Sequence, residues 1–126
     1  MKTKQFHWNL QTPHFTSYHE FFGKLYNDLD ESIDDTAERI RALGVLSPGT
    51  YATFLNEATI EEHNDLTTNA IIMLKALLAD HEEITRGLRD AIAQCAEIGD
   101  AGNEDYLISL MQYHEKTAWM LRSTLD

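Results

Sequence analysis

Residues 14–44, HFTSYHEFFGKLYNDLDESIDDTAERIRALG, decide the fold. Phe15, Phe22, Leu25, Leu29, Ile33, Ala37, Ile40 and Leu43 recur at steps of three and four, the repeat of a helix with one apolar face. Thr12 and Pro13 supply a cap and first-turn signal ahead of it. Gly44 falls where a helix end needs left-handed backbone. The spacing therefore predicts a single amphipathic helix of about thirty residues.

Two further segments read the same way. One runs from about residue 65 to 98, with Asn64 or Asp65 as its cap and a stripe of Leu66, Ala70, Met73, Leu77, Ile84, Leu88, Ala91, Cys95 and Ile98. The other runs from about 103 to 125, with Leu107, Leu110, Ala118, Leu121 and Leu125 facing inward. Gly99 and Gly102 mark the break between them. Residues 50–57 form a short helix in the connection after the first long segment. No stretch alternates with period two for long enough to make a strand, so the fold class is all-α. Residues 1–11 read as the end of another helix, with Lys2, Lys4, Phe6, Trp8 and Leu10 before the break at Pro13. Eleven residues alone make a marginal helix. The first helix thus reads as truncated: either the bundle is incomplete or residues upstream of Met1 belong to it.

At 126 residues a single domain, 1–126, is expected. Hydrophobic residues at 43% and charged residues at 25% fit an ordinary globular chain rather than a disordered one. The net charge of −11 disfavours a surface that neutralises nucleic-acid phosphates and favours attraction of cations. Cys95 is the only cysteine and lies on an apolar stripe, so it reads as a structural thiol in a reducing compartment. No apolar run approaches the roughly 18 residues that span a bilayer, and the N-terminus lacks a signal-peptide pattern. A cytoplasmic protein without membrane partners is expected.

Asp34 and Glu38 stand one helical turn apart, a spacing that lets two carboxylates converge. Asp28, Asp30, Glu31 and Asp35 crowd the same region, so a solvated acidic face is the plain alternative. His19 lies on the apolar stripe between Phe15 and Phe22. His81 and His114 lie on core stripes and read as structural. No glutamate is followed by histidine three residues on, which excludes the ordinary di-iron bundle within one chain. Nucleophile elbow, P-loop, Cys-x-x-Cys and dinucleotide fingerprints are absent. Along one helix, His19 and Asp34 stand roughly 22 Å apart at about 1.5 Å per residue. One ion can be shared by His7, His19, Asp34 and Glu38 only if two copies of the chain meet antiparallel.

His7-Trp8-Asn9, Phe15, His19, Tyr26, Asp34, Ala37-Glu38-Arg39 and Leu43-Gly44 resemble the Dps family, ferritin-like mini-cages named for DNA-binding proteins from starved cells. Asp80-His81-Glu82, His114-Glu115-Lys116 and Trp119-Met120-Leu121 extend the resemblance over essentially the whole chain. It implies a ferritin-like four-helix bundle that assembles as twelve subunits. It also implies iron sites between subunits, with His7 and His19 from one chain and Asp34 and Glu38 from its neighbour. There Fe(II) is oxidised, typically by hydrogen peroxide, and ferric mineral is stored, protecting the cell from oxidative stress. Zinc is a candidate competitor for the same donors, and the sequence leaves open whether it competes. Trp8 is implied to sit near the metal, and Asp100 and Asp105 to line pores. The family setting is the bacterial cytoplasm, in some members at the nucleoid.

Two departures qualify the resemblance. The family usually carries an aspartate ligand four residues after the second histidine, where this chain has Gly23. Weaker iron binding is therefore expected. The alternative is a cage with a degenerate metal site, acting as a passive metal-binding, structural or DNA-protecting assembly. Only Lys2 and Lys4 precede the His-Trp pair, and the chain ends Arg122-Ser123-Thr124-Leu125-Asp126, so direct DNA binding is not expected.

Overall fold

A computed structural model describes all 126 residues as five α-helices without a β-strand: α1 Lys2–Asn9, α2 Phe15–Ala42, α3 Tyr51–Glu57, α4 Ala70–Ile98 and α5 Ala101–Leu125. No helix is long and apolar enough to cross a membrane. Contacts divide the chain into two compact units, Met1–Thr68 and Asn69–Asp126.

In the first unit α1 packs on α2. Phe6, Leu10, Phe22 and Leu25 are its buried apolar residues. Leu10 turns extended after α1, and Pro13 bars the helix from continuing. Thr12 organises the turn: its hydroxyl accepts from the His14 N–H at 3.3 Å and its carbonyl from the Phe15 N–H at 3.0 Å. Gly44, at φ 84°, closes α2. The Val45 N–H reaches the Ile40 carbonyl and the Gly44 N–H the Arg41 carbonyl, the bond pair of a Schellman end. Thr50 caps α3 by accepting from the Thr53 N–H at 3.2 Å. Every residue of α3 is exposed in the single chain, Tyr51 at 86%.

The second unit is a helical hairpin. Ala70, Met73, Leu74 and Leu77 of α4 and Ala118 and Leu121 of α5 are buried. Gly99, at φ 73°, ends α4 with the same bond pattern, Asp100 N–H to Cys95 carbonyl and Gly99 N–H to Ala96 carbonyl. Asp100 then caps α5 at once, so the hairpin turns within two residues.

The sequence expectation for α4 needs correction. The helix begins at Ala70, not near residue 65, and its cap is Asn69, whose Oδ1 accepts from the N–H groups of Ile71 and Ile72 at 2.9 and 3.3 Å. Leu66 continues the periodicity backwards by one step yet lies outside the helix, 81% exposed. Thr67 and Thr68, β-branched, resist the helix, and the Thr68 carbonyl is taken by the Gln11 N–H at 3.0 Å. The last long helix starts at Ala101, two residues earlier than its expected start.

Candidate metal centre

An eight-residue helix without a side-chain cap does not persist alone, so contacts with α2 must hold α1. Lys4 pairs with Asp30 of α2 at 2.6 Å and lies 5.3 Å from the centre of the Tyr26 ring. The hydrogen bond to Asp30 raises the Lys4 pKa, keeping the ammonium charged. The Gln5 amide donates to the His63 carbonyl at 3.2 Å, while the His63 ring meets Phe6 edge-on.

These contacts bring His7, in the last turn of α1, against His19, in the second turn of α2. Their rings stack at 3.6 Å between centroids and 21° between planes. Each ring also bonds to the other residue's main chain. His7 Nδ1 lies 2.8 Å from the His19 carbonyl oxygen, and His19 Nδ1 lies 3.0 Å from that of His7. A carbonyl oxygen only accepts, so both Nδ1 atoms carry a proton and donate. In the neutral rings both Nε2 lone pairs remain, with no protein partner. That is the form in which imidazole binds a divalent ion, and a carbonyl bond on the opposite nitrogen is the usual orienting partner of a ligand histidine.

The pair is embedded in an aromatic column. Phe15 stacks on His19 at 4.9 Å, and Tyr26 meets His7 edge-on at 5.2 Å. Sequence reasoning did not assign Phe15, Tyr26, Lys4 or Asp30 to the site. The available signal was spacing: Phe15, His19 and Tyr26 stand four and seven residues apart, on one helical face. Trp8, beside His7 in sequence, is 64% exposed.

Asp34 and Glu38 occupy the far half of α2, both exposed and engaged by no hydrogen bond or ion pair. They share a helix with His19 but not its neighbourhood. No three His, Cys, Asp or Glu side chains of the single chain are grouped to hold a metal ion. Two imidazoles and two carboxylates are a donor set suited to iron, with zinc able to compete. Gly23 lies beside the pair. A Cβ built there would stand 3.2 Å from His7 Cε1 and 3.5 Å from His7 Nδ1.

Asp100 spends both carboxylate oxygens locally, accepting from the Asn103 N–H at 3.1 Å and the Asn103 side-chain amide at 2.7 Å. Asp105 is exposed. His81 and His114 meet in the second unit, Nδ1 to Nδ1 at 2.8 Å, both buried. One must donate and the other accept, so the two carry different tautomers. Burial pushes both pKa values from 6.5 down to about 4, with the neighbouring His114 adding to the effect on His81.

The ferritin-like domain family matches residues 1–126, and the chain is 33% identical over 125 residues to DNA protection during starvation protein 2 of Bacillus anthracis, covering 99% of this chain and 85% of that protein. The chain belongs to the Dps branch of the ferritin-like family. A second relative, a low temperature-induced protein of Nostoc sp., is 41% identical over 127 residues, covering 100% of this chain and 71% of its own length. Among solved structures, the Dps protein of Vibrio cholerae O1 superposes with a TM-score of 0.95 at 30% identity, over 100% of this chain and 79% of that one. That protein is described as a member of the ferritin-like diiron-carboxylate superfamily. The ferritin-like fold expected from the sequence is thus the observed one.

Proposed function

We propose that this Dps chain sequesters iron by assembling with copies of itself into a twelve-subunit shell and oxidising Fe(II) at sites shared between neighbours. His7 and His19 of one subunit and Asp34 and Glu38 of the next hold the iron as substrate. Two Fe(II) ions give up one electron each. Hydrogen peroxide accepts both as its O–O bond breaks, two protons complete two waters, and the ferric product hydrolyses to mineral that is stored. Trp8 lies beside this centre. Asp105, and Asp100 so far as its cap releases it, line the entry pore. Family membership supports iron sequestration and protection against stress as the general role.

The observation that carries the reading is the reciprocal lock of His7 and His19, which leaves two Nε2 lone pairs in a chain that completes no metal site alone. Exposed Val45, Leu46, Tyr51 and Leu55 support self-association. The net charge of −11 supports attraction of iron rather than of DNA.

The test is to mix the purified oligomer with Fe(II) and hydrogen peroxide and follow ferric absorbance. Absorbance should rise faster than in buffer, and His19→Ala should remove the gain. Gly23 favours a second reading, a shell whose depleted site binds metal without turnover. An intact oligomer that binds Fe(II) yet oxidises it no faster than buffer establishes that reading.

A further inference from the structure

We propose that the groove between α4 and α5 binds a small oxyanion, inorganic phosphate, through Arg86, Arg89 and Arg122. The groove draws on no residue of the first unit, so the inference does not rest on the reading of His7 and His19 as metal ligands.

The groove holds a cavity of about 310 Å³, and the two uncharged residues that line it, Thr85 and Ala118, are themselves buried. Two ion pairs cross it from one helix to the other. Arg89 Nη2 lies 2.8 Å from Glu115 Oε1, and Arg122 Nη2 lies 3.5 Å from Glu82 Oε1. Each pair uses one nitrogen of its guanidinium, which leaves further N–H groups on both arginines for a second acceptor. Arg86 lines the same cavity and has no hydrogen-bond or ion-pair partner. Three of the five arginines in the chain thus line one cavity, although the net charge of the chain is −11. With Glu82 and Glu115 counted against them, the groove keeps one positive charge in excess.

The donors select the ligand. The Thr85 hydroxyl gives its proton to the His81 carbonyl at 2.8 Å, so guanidinium N–H groups are the donors left to the cavity. Guanidinium forks suit an acceptor with several oxygens on one centre, and a phosphate dianion presents enough of them to engage more than one fork. The two glutamates do not close the groove to it, because exposed ion pairs contribute little and exchange readily. A nucleic-acid duplex fits poorly: the positive charge is confined to a concavity and offers no basic face to a phosphate backbone.

The test is equilibrium dialysis of the chelator-treated, metal-free oligomer against radiolabelled inorganic phosphate at low ionic strength. Binding should saturate at a single phosphate for each chain. Arg86→Ala should weaken it about tenfold, the scale of a lost charged hydrogen bond. Arg86 is exposed and has no partner to lose, so circular dichroism and sizing of that variant should match the unaltered oligomer. Glu82→Gln should tighten binding severalfold, since the amide oxygen still accepts from Arg122 while the repelling charge is gone. Lys116→Ala removes a positive charge from α5 outside the groove and should leave binding unchanged. Absence of saturable binding overturns the proposal, as does binding that Arg86→Ala and Glu82→Gln leave unaltered. Displacement of bound phosphate by a short DNA duplex at equal phosphate concentration also overturns it, because the groove would then belong to nucleic acid.

Discussion

At the scale of single residues, several side chains are committed by local bonds that a motif does not reveal. Asp100, which the resemblance implies at a pore, also gives both its oxygens to Asn103 at the start of α5. Asp100→Ala should lower stability by about 1 kcal/mol through loss of the cap. Asp105→Ala, at an exposed position, should change it by less than about 0.5 kcal/mol. Urea unfolding of the two variants separates a structural role from one in ion entry, because only the first moves the midpoint. Thr117 is the opposite case: its hydroxyl is fully buried without a partner, and nothing in the structure accounts for it.

At the scale of helices, α4 and α5 are joined by a tight turn and a buried imidazole pair, and each has a measurable signature. Gly99 sits at φ 73°, where a side chain costs about 1–2 kcal/mol. Gly99→Ala should lower the melting temperature accordingly, while Gly87→Ala, in open space within α4, should leave it unchanged or raise it. The pair His81 and His114 titrates near 4 when folded, against 6.5 in the unfolded chain. Between those values the unfolded chain binds protons that the folded one refuses, so stability is complete above about pH 6.5 and is lost as pH falls toward 4. Each imidazole contributes a slope of about 1.4 kcal/mol per pH unit over that window. Denaturation midpoints at pH 7.5 and pH 5 should show the loss, and a double His81→Leu, His114→Leu variant should largely lack it. His81→Leu alone should be worse than the double change, since it strands the His114 nitrogen at a cost of about 1–3 kcal/mol.

At the scale of the whole molecule, the proposed site is divided between subunits, and that division can be tested genetically. His7→Ala and Asp34→Asn should each abolish Fe(II) oxidation, the second with a melting point near that of the unaltered protein because Asp34 is exposed and unpaired. Oligomers reassembled from equal amounts of both variants should recover roughly a quarter of the activity. In a symmetric two-fold pairing, one site of each mixed pair draws its histidines and its carboxylates from unaltered halves. A site built within one chain would recover nothing.

The sequence by itself determined the helices, their order and most of their ends. Apolar residues at three- and four-residue steps, Pro13, and glycines at positions 44 and 99 act over a single turn, and such local rules leave a trace in any short window. Where a local signal misled, as at Leu66, a cap at Asn69 and a backbone bond from Gln11 to Thr68 overruled the periodicity. It also marked His7 and His19 as candidates and Gly23 as a departure. What only the tertiary structure decided was how those residues meet. His7 and His19 are 12 positions apart and His81 and His114 are 33 apart, so their bonds exist only once separate helices have packed. Packing fixed which nitrogen of each ring carries the proton, which lone pairs remain, and how close Gly23 lies to the ring beside it.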